Sequence, residues 1–256
     1  MRSTIIAGLL VATAANAAPL VELSLNSTKW TPEHILRPGE VILYGEGRME
    51  VVHETVYHKL IAAEGHSFEV PEIDLTFNIQ SVNHNHSDIH ARQSCDATTA
   101  VITDSSSTFV DWDVQMSPVV IGSGTTGMDV SVASGYSIAN SISVSAGITP
   151  TLIKDKLGAS AGIDYSRTWT TQTVVTVKGT VDPGYSGVMI TKPIKTRKTG
   201  RVLRGCVGSE TEIGTFSADS FADGAYAGVK WVSGAIMMCS KKEFPLSRCT
   251  GSGNFV

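Results

Sequence analysis

Residues 129–149, DVSVASGYSIANSISVSAGIT, alternate with period two. Val130, Val132, Tyr136, Ile138, Ile142, Val144, Ala146 and Ile148 fall on even positions, and small or polar residues fill the odd ones. Alternate side chains reach opposite sides only in an extended chain, so the segment reads as β-structure with one buried face. After a connector, PTLIKDK (150–156), the run LGASAGIDYSRTWTTQTVVTV (157–177) alternates again. Leu157, Ala159, Ala161, Ile163, Tyr165, Trp169, Val175 and Val177 share one face; Ser160, Ser166, Thr168, Thr170, Gln172 and Thr176 share the other. Arg167 is the misfit on the apolar side. Ordinary strands have about 5–6 residues, whereas an unbroken ribbon of about twenty would reach ~65 Å. Two such runs around a short connector read as an extended hairpin. Glycine marks bends and bulges, so Gly135, Gly147 and Gly162 support the other reading, several short strands in a sandwich.

The rest of the chain extends this picture. The turn DPG (182–184) and the runs SGVMITK, RVLRGCVG and GVKWVSGAIMMC are turn-and-strand signals. The 24 glycines suit a β-protein rich in turns. Nearer the N-terminus, EVILYGEGRMEVV (40–52) reads as two short strands around a Gly-Glu-Gly turn, and IDLTFNI (73–79) as a further strand. HETVYHKLIAAEG (53–65) is the one helix candidate: Val56, Leu60 and Ala63 recur at helical spacing and Gly65 stands where a helix stops. The expected fold is mainly β, a β-sandwich or an elongated sheet, with a small α+β N-terminal part containing one short helix. Composition shifts near Asp96, which divides a region 19–95 from a Ser/Thr/Gly-rich region 96–256.

Residues 1–18 read as a secretory signal peptide. Arg2 precedes the apolar IIAGLLVATAA (5–15), too short for a bilayer span, and ANAAP supplies the small residues of a cleavage site. An exported, extracellular protein is therefore expected. The four cysteines, Cys95, Cys206, Cys239 and Cys249, read as two disulfides with three possible pairings. A short loop closed at the C-terminus favours Cys239–Cys249 and hence Cys95–Cys206. Two N-x-[ST] sequons, at Asn26 and Asn85, are expected glycosylation sites. The formal net charge of −4 argues against nucleic acid as a partner.

Several motifs carry chemistry in other contexts. SVNHNHSDIHARQSCD (81–96) gathers His84, His86, His90 and Cys95, all metal-ligand types. With Cys95 assigned to a disulfide, the three histidines remain as weak metal candidates, and no cofactor is expected. GSGTTG (122–127) matches a dinucleotide fingerprint but precedes a period-two run rather than the helix that would receive a pyrophosphate. GASAG (158–162) matches a nucleophile elbow, yet Ser160 sits in an alternating run. His53 and His58 are five apart, about 140° around a helix, and so diverge. KPIKTRKTGRVLR (192–204) is a basic run without an acid, suited to an anionic surface or to a solvated strand edge. Lys195, Arg197 and Lys198 in it, with Arg167 and Trp169, are the expected membrane or ligand contacts. Asp104, Asp111 and Asp113 in DSSSTFVDWD keep a secreted hydrolase in view, though spacing alone assigns them no roles.

An ordered set of segments resembles the fungal secreted effector-like proteins: WTPEHILRPGEVILYGEGRMEVV (30–52), YSRTWT (165–170), GYSGVMITKP (184–193), GRVLRGCVGS (200–209), FSADSF (216–221), VKWVSGAIMMC (229–239) and FPLSRCTGSG (244–253). The resemblance implies secretion, action on a host, and disulfides near the C-terminus; it supplies no catalytic residues. At the level of architecture, the long Ser/Thr-rich alternating runs and the Arg-Thr-Trp-Thr sequence are similar to the insertion region of aerolysin-like pore-forming proteins, and an elongated sheet of that kind is the second form the fold class takes. A barrel strand must alternate between lipid and water, and Arg167 on the lipid side departs from that pattern. Together these readings imply a non-enzymatic secreted β-protein acting on a host protein, glycan or membrane surface. The alternatives are a pore former using 129–177, oligomeric in that case, and a secreted hydrolase or metal enzyme.

Overall fold

The computed structural model describes residues 27–73, 75, 95–172, 177–226 and 229–256. The strands expected around Gly-Glu-Gly form: Thr28–Lys29 (β1) and Ile35–Leu36 (β2) precede a hairpin of Glu40–Gly45 (β3) and Arg48–His53 (β4). The expected helix follows as α1, Glu54–Ala63, with the His53 side chain accepting the Thr55 N–H as its cap. Next come Thr98–Val110 (β5), Val114–Gln115 (β6), Val120–Ile121 (β7), Met128–Ser131 (β8), Ser137–Ala139 (β9) and Ser141–Val144 (β10). A second helix, α2, spans Pro150–Ala161. Thr168–Thr170 (β11), Lys178–Val181 (β12), Ser186–Gly205 (β13) and Thr211–Phe221 (β14) follow. Asp223–Tyr226 (β15), Val229–Val232 (β16) and Gly234–Lys241 (β17) complete the mainly β architecture.

The 20-residue β13 is the spine. Its first half pairs with β17 on one edge and with the short β6 and β7 on the other. Its second half pairs with β14 from Lys195↔Phe221 to Arg204↔Thr211, and with β5 from Ile194↔Val110 to Gly205↔Thr98. The β3–β4 hairpin joins through β17, and β10 adds to β14. Strands from before and after residue 96 thus share one sheet, so the composition shift there does not interrupt the sheet. Gly200 lies where β5 and β14 both close on β13. A Cβ there would sit 1.9 Å from the Ile102 carbonyl and 2.8 Å from the Phe216 ring. The β5 register slips at this point.

Both faces of the sheet are covered around β3, which explains its continuous apolar run. Ile42 and Tyr44 pack with Trp231, Met189, Trp169 and Val130 on one face. Val41 and Leu43 pack with Tyr57 and Ile61 of α1, and with Leu246 and Phe255 of the C-terminal segment, on the other. Further along the spine, Ile153 and Leu157 of α2 and Tyr165 pack on Val202, Phe216 and Ala218.

The extended hairpin expected over 129–177 does not form. The segment is divided among β8, β9, β10, α2 and β11, and Gly135, Gly147 and Gly162 adopt φ of +96°, +91° and +67° at the breaks. Left-handed backbone ends an extended run at Gly135 and Gly147 and ends the helix α2 at Gly162. Pro150 opens α2, Gly162 caps it, and Ile153 and Leu157 supply its buried i, i+4 pair. Where one helix was expected, the described residues hold two. The strand expected at 73–79 falls largely outside the described residues.

Candidate functional site

A cleft of about 550 Å³ opens between α1 and the end of β3. Helix α1 presents Tyr57, Leu60 and Ile61 because its apolar face is held against β3 and β4. Leu43, Ile194 and Gly234 form the floor, and Glu46, Arg48, Glu64, His66 and Asp223 stand at the rim. Tyr44 fixes the far wall: its one hydroxyl proton is shared between the Gly224 and Val229 carbonyls (2.7 and 2.8 Å), tying β3 to the β15–β16 hairpin. The contact needs Gly224, since a Cβ there would lie 2.4 Å from the Tyr44 ring. Burial pushes the Tyr44 phenol up to about 12.

Tyr57 differs. It is 1 % exposed, and its hydroxyl has no hydrogen-bond partner among the described residues. Burial, then the nearby Glu64 and Glu54 carboxylates, hold this phenol well above its ordinary range, so it stays a neutral donor and acceptor. A buried hydroxyl left unpaired costs about 1–3 kcal/mol. Tyr57→Phe is therefore expected to leave the unliganded chain as stable as wild type or up to ~1 kcal/mol more stable. Urea unfolding checks this, and a clear loss would show that the hydroxyl already has a partner.

The rim is weighted toward acid. Glu46, Glu64 and Asp223 stand against Arg48, which lies 3.9 Å from Glu46. His66 Nδ1 is 3.4 Å from Glu64. Asp223 is engaged from behind: it accepts the Trp169 indole N–H at 2.7 Å and pairs with Arg167. This places two of the expected contact residues. Trp169 is buried in the core, and Arg167 stacks over its ring at 5.0 Å while its charge is met by Asp223. The misfit in the alternating run is thus answered by an acid behind the cleft.

The basic run lies on the spine and is not a free edge. Arg197 is buried and donates two hydrogen bonds to Asp219 (2.7 Å each). Lys195 sits between Asp111 and Asp219. Lys198 is half-buried in register with Ala218 and Ser106. The three acids of the hydrolase reading are dispersed: Asp104 pairs with the exposed Arg201, Asp111 with Lys195, and Asp113 is buried beside the C-terminal loop.

Asp113 has its carboxyl pushed above the ordinary range by burial, opposed by the Thr250 N–H and by Lys192 and Arg248. A carboxyl raised on folding favours the folded state below its unfolded value, and that contribution is lost as pH rises through the folded value. Asp113→Asn is expected to be the more stable chain at neutral pH, with the difference closing in acid. Melting curves across pH check this; a gap that widened in acid would reverse the sign.

Both disulfides form as expected, Cys95–Cys206 and Cys239–Cys249. GSGTTG is a loop leading into β8 rather than a helix, and the Ser160 hydroxyl in α2 is turned to the Leu157 carbonyl. His53 caps α1, whereas His58 leans on Phe68 and lies 3.7 Å from Glu54, so the two imidazoles part as their spacing requires. His84, His86, His90 and the sequons at Asn26 and Asn85 lie outside the described residues, as does the expected leader. The cleft itself was not read from sequence, because its walls come from residues about 180 positions apart. No family model, curated protein or solved structure matches the chain.

Proposed function

We propose that the chain is a secreted, non-enzymatic, effector-like β-protein that acts on a host or cell-surface component by binding it in the cleft between α1 and β3. The cleft carries the reading: an apolar floor of Leu43 and Ile194 beneath a polar rim of Glu46, Arg48, Glu64 and Asp223 is the form of a ligand site. The acidic rim favours a ligand with an apolar body and a cationic or hydrogen-bonding end. The two disulfides suit an oxidising compartment, and no helix among the described residues is long and apolar enough to cross a membrane.

The test is binding of the full chain to arrayed glycans, vesicles and host surface proteins, repeated with Ala222→Trp and Tyr57→Phe. Ala222 is exposed at the cleft, so the indole fills the space at little cost to the core. Binding is expected to vanish with Ala222→Trp and to be unchanged with Tyr57→Phe, whose hydroxyl is sealed from the cleft. Catalytic turnover of a glycan or peptide would overturn the non-enzymatic reading; binding indifferent to Ala222→Trp would overturn the cleft.

One observation favours pore formation as a second reading. The period-two pattern over 129–170 persists in sequence although the fold breaks it with α2 and three left-handed glycines. A local pattern at odds with the fold marks a segment suited to a second conformation. Dye release from liposomes by free protein, abolished when α2 is cross-linked to β14, is the expected result of that reading. Equal leakage from both, or none, rejects it.

A further inference from the structure

Asp113 is a buried acid that the cleft does not use. It is 1 % exposed, and its backbone and one carboxylate oxygen are tied to Thr250, with Oδ2 accepting the Thr250 N–H at 2.6 Å. The other oxygen, Oδ1, makes no close hydrogen bond among the described residues, while the Cys249 N–H also acts on the carboxylate. The carboxylate faces the Cys239–Cys249 disulfide: one of its oxygens and the two sulfurs all lie within 4.8 Å of one another. Cys239 is fully buried in β17, whereas Cys249 is exposed on the loop that follows.

We propose that Asp113, Cys239 and Cys249 form a zinc site that is created when a low-molecular-weight thiol reduces the Cys239–Cys249 disulfide. Exposure makes the Cys249 sulfur the accessible point of attack. A thiolate bonds to it and displaces the Cys239 thiolate. A second thiol then attacks the mixed disulfide and releases Cys249. Two external thiols are thereby oxidised to their own disulfide, and each protein sulfur gains one electron. Zinc displaces any proton remaining on either sulfur to solvent, and Asp113 becomes the third ligand. Water fills the fourth position of a tetrahedron.

The dimensions and charges agree. Around zinc, sulfur and oxygen donors stand roughly 3.6–3.8 Å apart for bonds of ~2.3 and ~2.1 Å. The sulfurs must separate to that spacing, and the movement falls on the exposed Cys249 side while β17 holds Cys239. Two thiolates and a carboxylate carry three negative charges against the two positive charges of the metal. The remaining charge is met by Lys192 on β13, 7 % exposed, and by Arg248 on the C-terminal loop, both of which act on Asp113. Two soft thiolates with one carboxylate select zinc over calcium or magnesium. The bond is closed in an oxidising compartment, and the metal site exists only in a reducing one.

The experiment measures zinc uptake by the full chain against a chromogenic chelator, before and after reduction with a phosphine. Zinc held by the oxidised chain is the baseline. One additional zinc per chain is expected on reduction, with thiolate-to-metal charge-transfer bands when cobalt replaces zinc. A Cys95→Ser/Cys206→Ser chain should keep it. Asp113→Asn should weaken it more than tenfold, since even the outer partners of metal ligands are worth about 10–100-fold. Asp113→Asn retains an oxygen for the Thr250 N–H, and a cooperative melt of the oxidised variant confirms its fold. Cys249→Ser, altered at an exposed position, should abolish the uptake. No additional zinc, uptake indifferent to Asp113→Asn, or uptake lost with the Cys95–Cys206 pair instead would each overturn the proposal.

Discussion

Replacing Asp219 with alanine is expected to destabilise the chain by about 3–5 kcal/mol, the cost of leaving a buried charge without its partner. Asp219 and Arg197 face each other across β14 and β13 with side chains 7 % and 5 % exposed. Arg197 Nε donates to Oδ1 and Nη2 to Oδ2, and the guanidinium lies over the Phe109 ring at 5.2 Å. The hydrogen bonds that Arg197 donates to Asp219 hold the Arg197 pKa above its ordinary value despite burial. The guanidinium therefore cannot escape by losing its proton. Lys195, 3.3 Å from the same carboxylate, retains Asp111 and suffers less. The paired variant Arg197→Met/Asp219→Leu should recover most of the loss, because an apolar pair of similar volume often matches a buried ion pair. Urea denaturation of the three chains gives the comparison. A loss below ~1 kcal/mol for Asp219→Ala would place the pair in the class of solvated surface bridges.

Removing Cys95–Cys206 should cost about 5 kcal/mol and removing Cys239–Cys249 about 3 kcal/mol in the chain-entropy model. The order follows from sequence separations of 111 and 10 residues. The longer bridge also has a local task. Cys95 precedes β5 and Cys206 follows β13, at the end of the ladder where Thr98 meets Gly205. It pins an edge strand whose face is mostly exposed and whose register is therefore weakly specified by burial. Paired Cys→Ala chains compared by equilibrium unfolding test the order. Equal losses, or a larger loss for the short loop, would mean that native contacts at Cys239 outweigh unfolded-state entropy.

What was legible in the sequence was local. The β3–β4 hairpin and α1 follow from the Gly-Glu-Gly turn and from residues spaced within one element, and the compositional case for a mainly β fold holds. The alternation over 129–177 misled where small residues satisfy either period: Leu157, Ala159 and Ala161 fit a strand face, yet Ile153 and Leu157 equally fit a helix, and Pro150 and Gly162 decided for the helix. The true long strand was hidden for the opposite reason. In β13 the charged Lys195 and Arg197 are inside, so no hydrophobicity pattern announces burial; their acids arrive from β14 and from the segment after β5. The cleft and the Asp113–disulfide cluster depend on the same long-range pairings, which no spacing within a segment encodes.

The position of β13 also sets an order of events during synthesis. β5 cannot complete its pairing until residues 186–205 have emerged, and β3 must wait longer, for β17. At about 5–20 residues per second, β5 waits roughly 5–20 s for the strand it pairs with. Its sequence, TTAVITDSSSTFV, is suited to that delay: Asp104 and a run of serines keep an unpaired edge soluble. The apolar VILY of β3 has no such protection, which makes the early hairpin the segment most in need of a chaperone during synthesis.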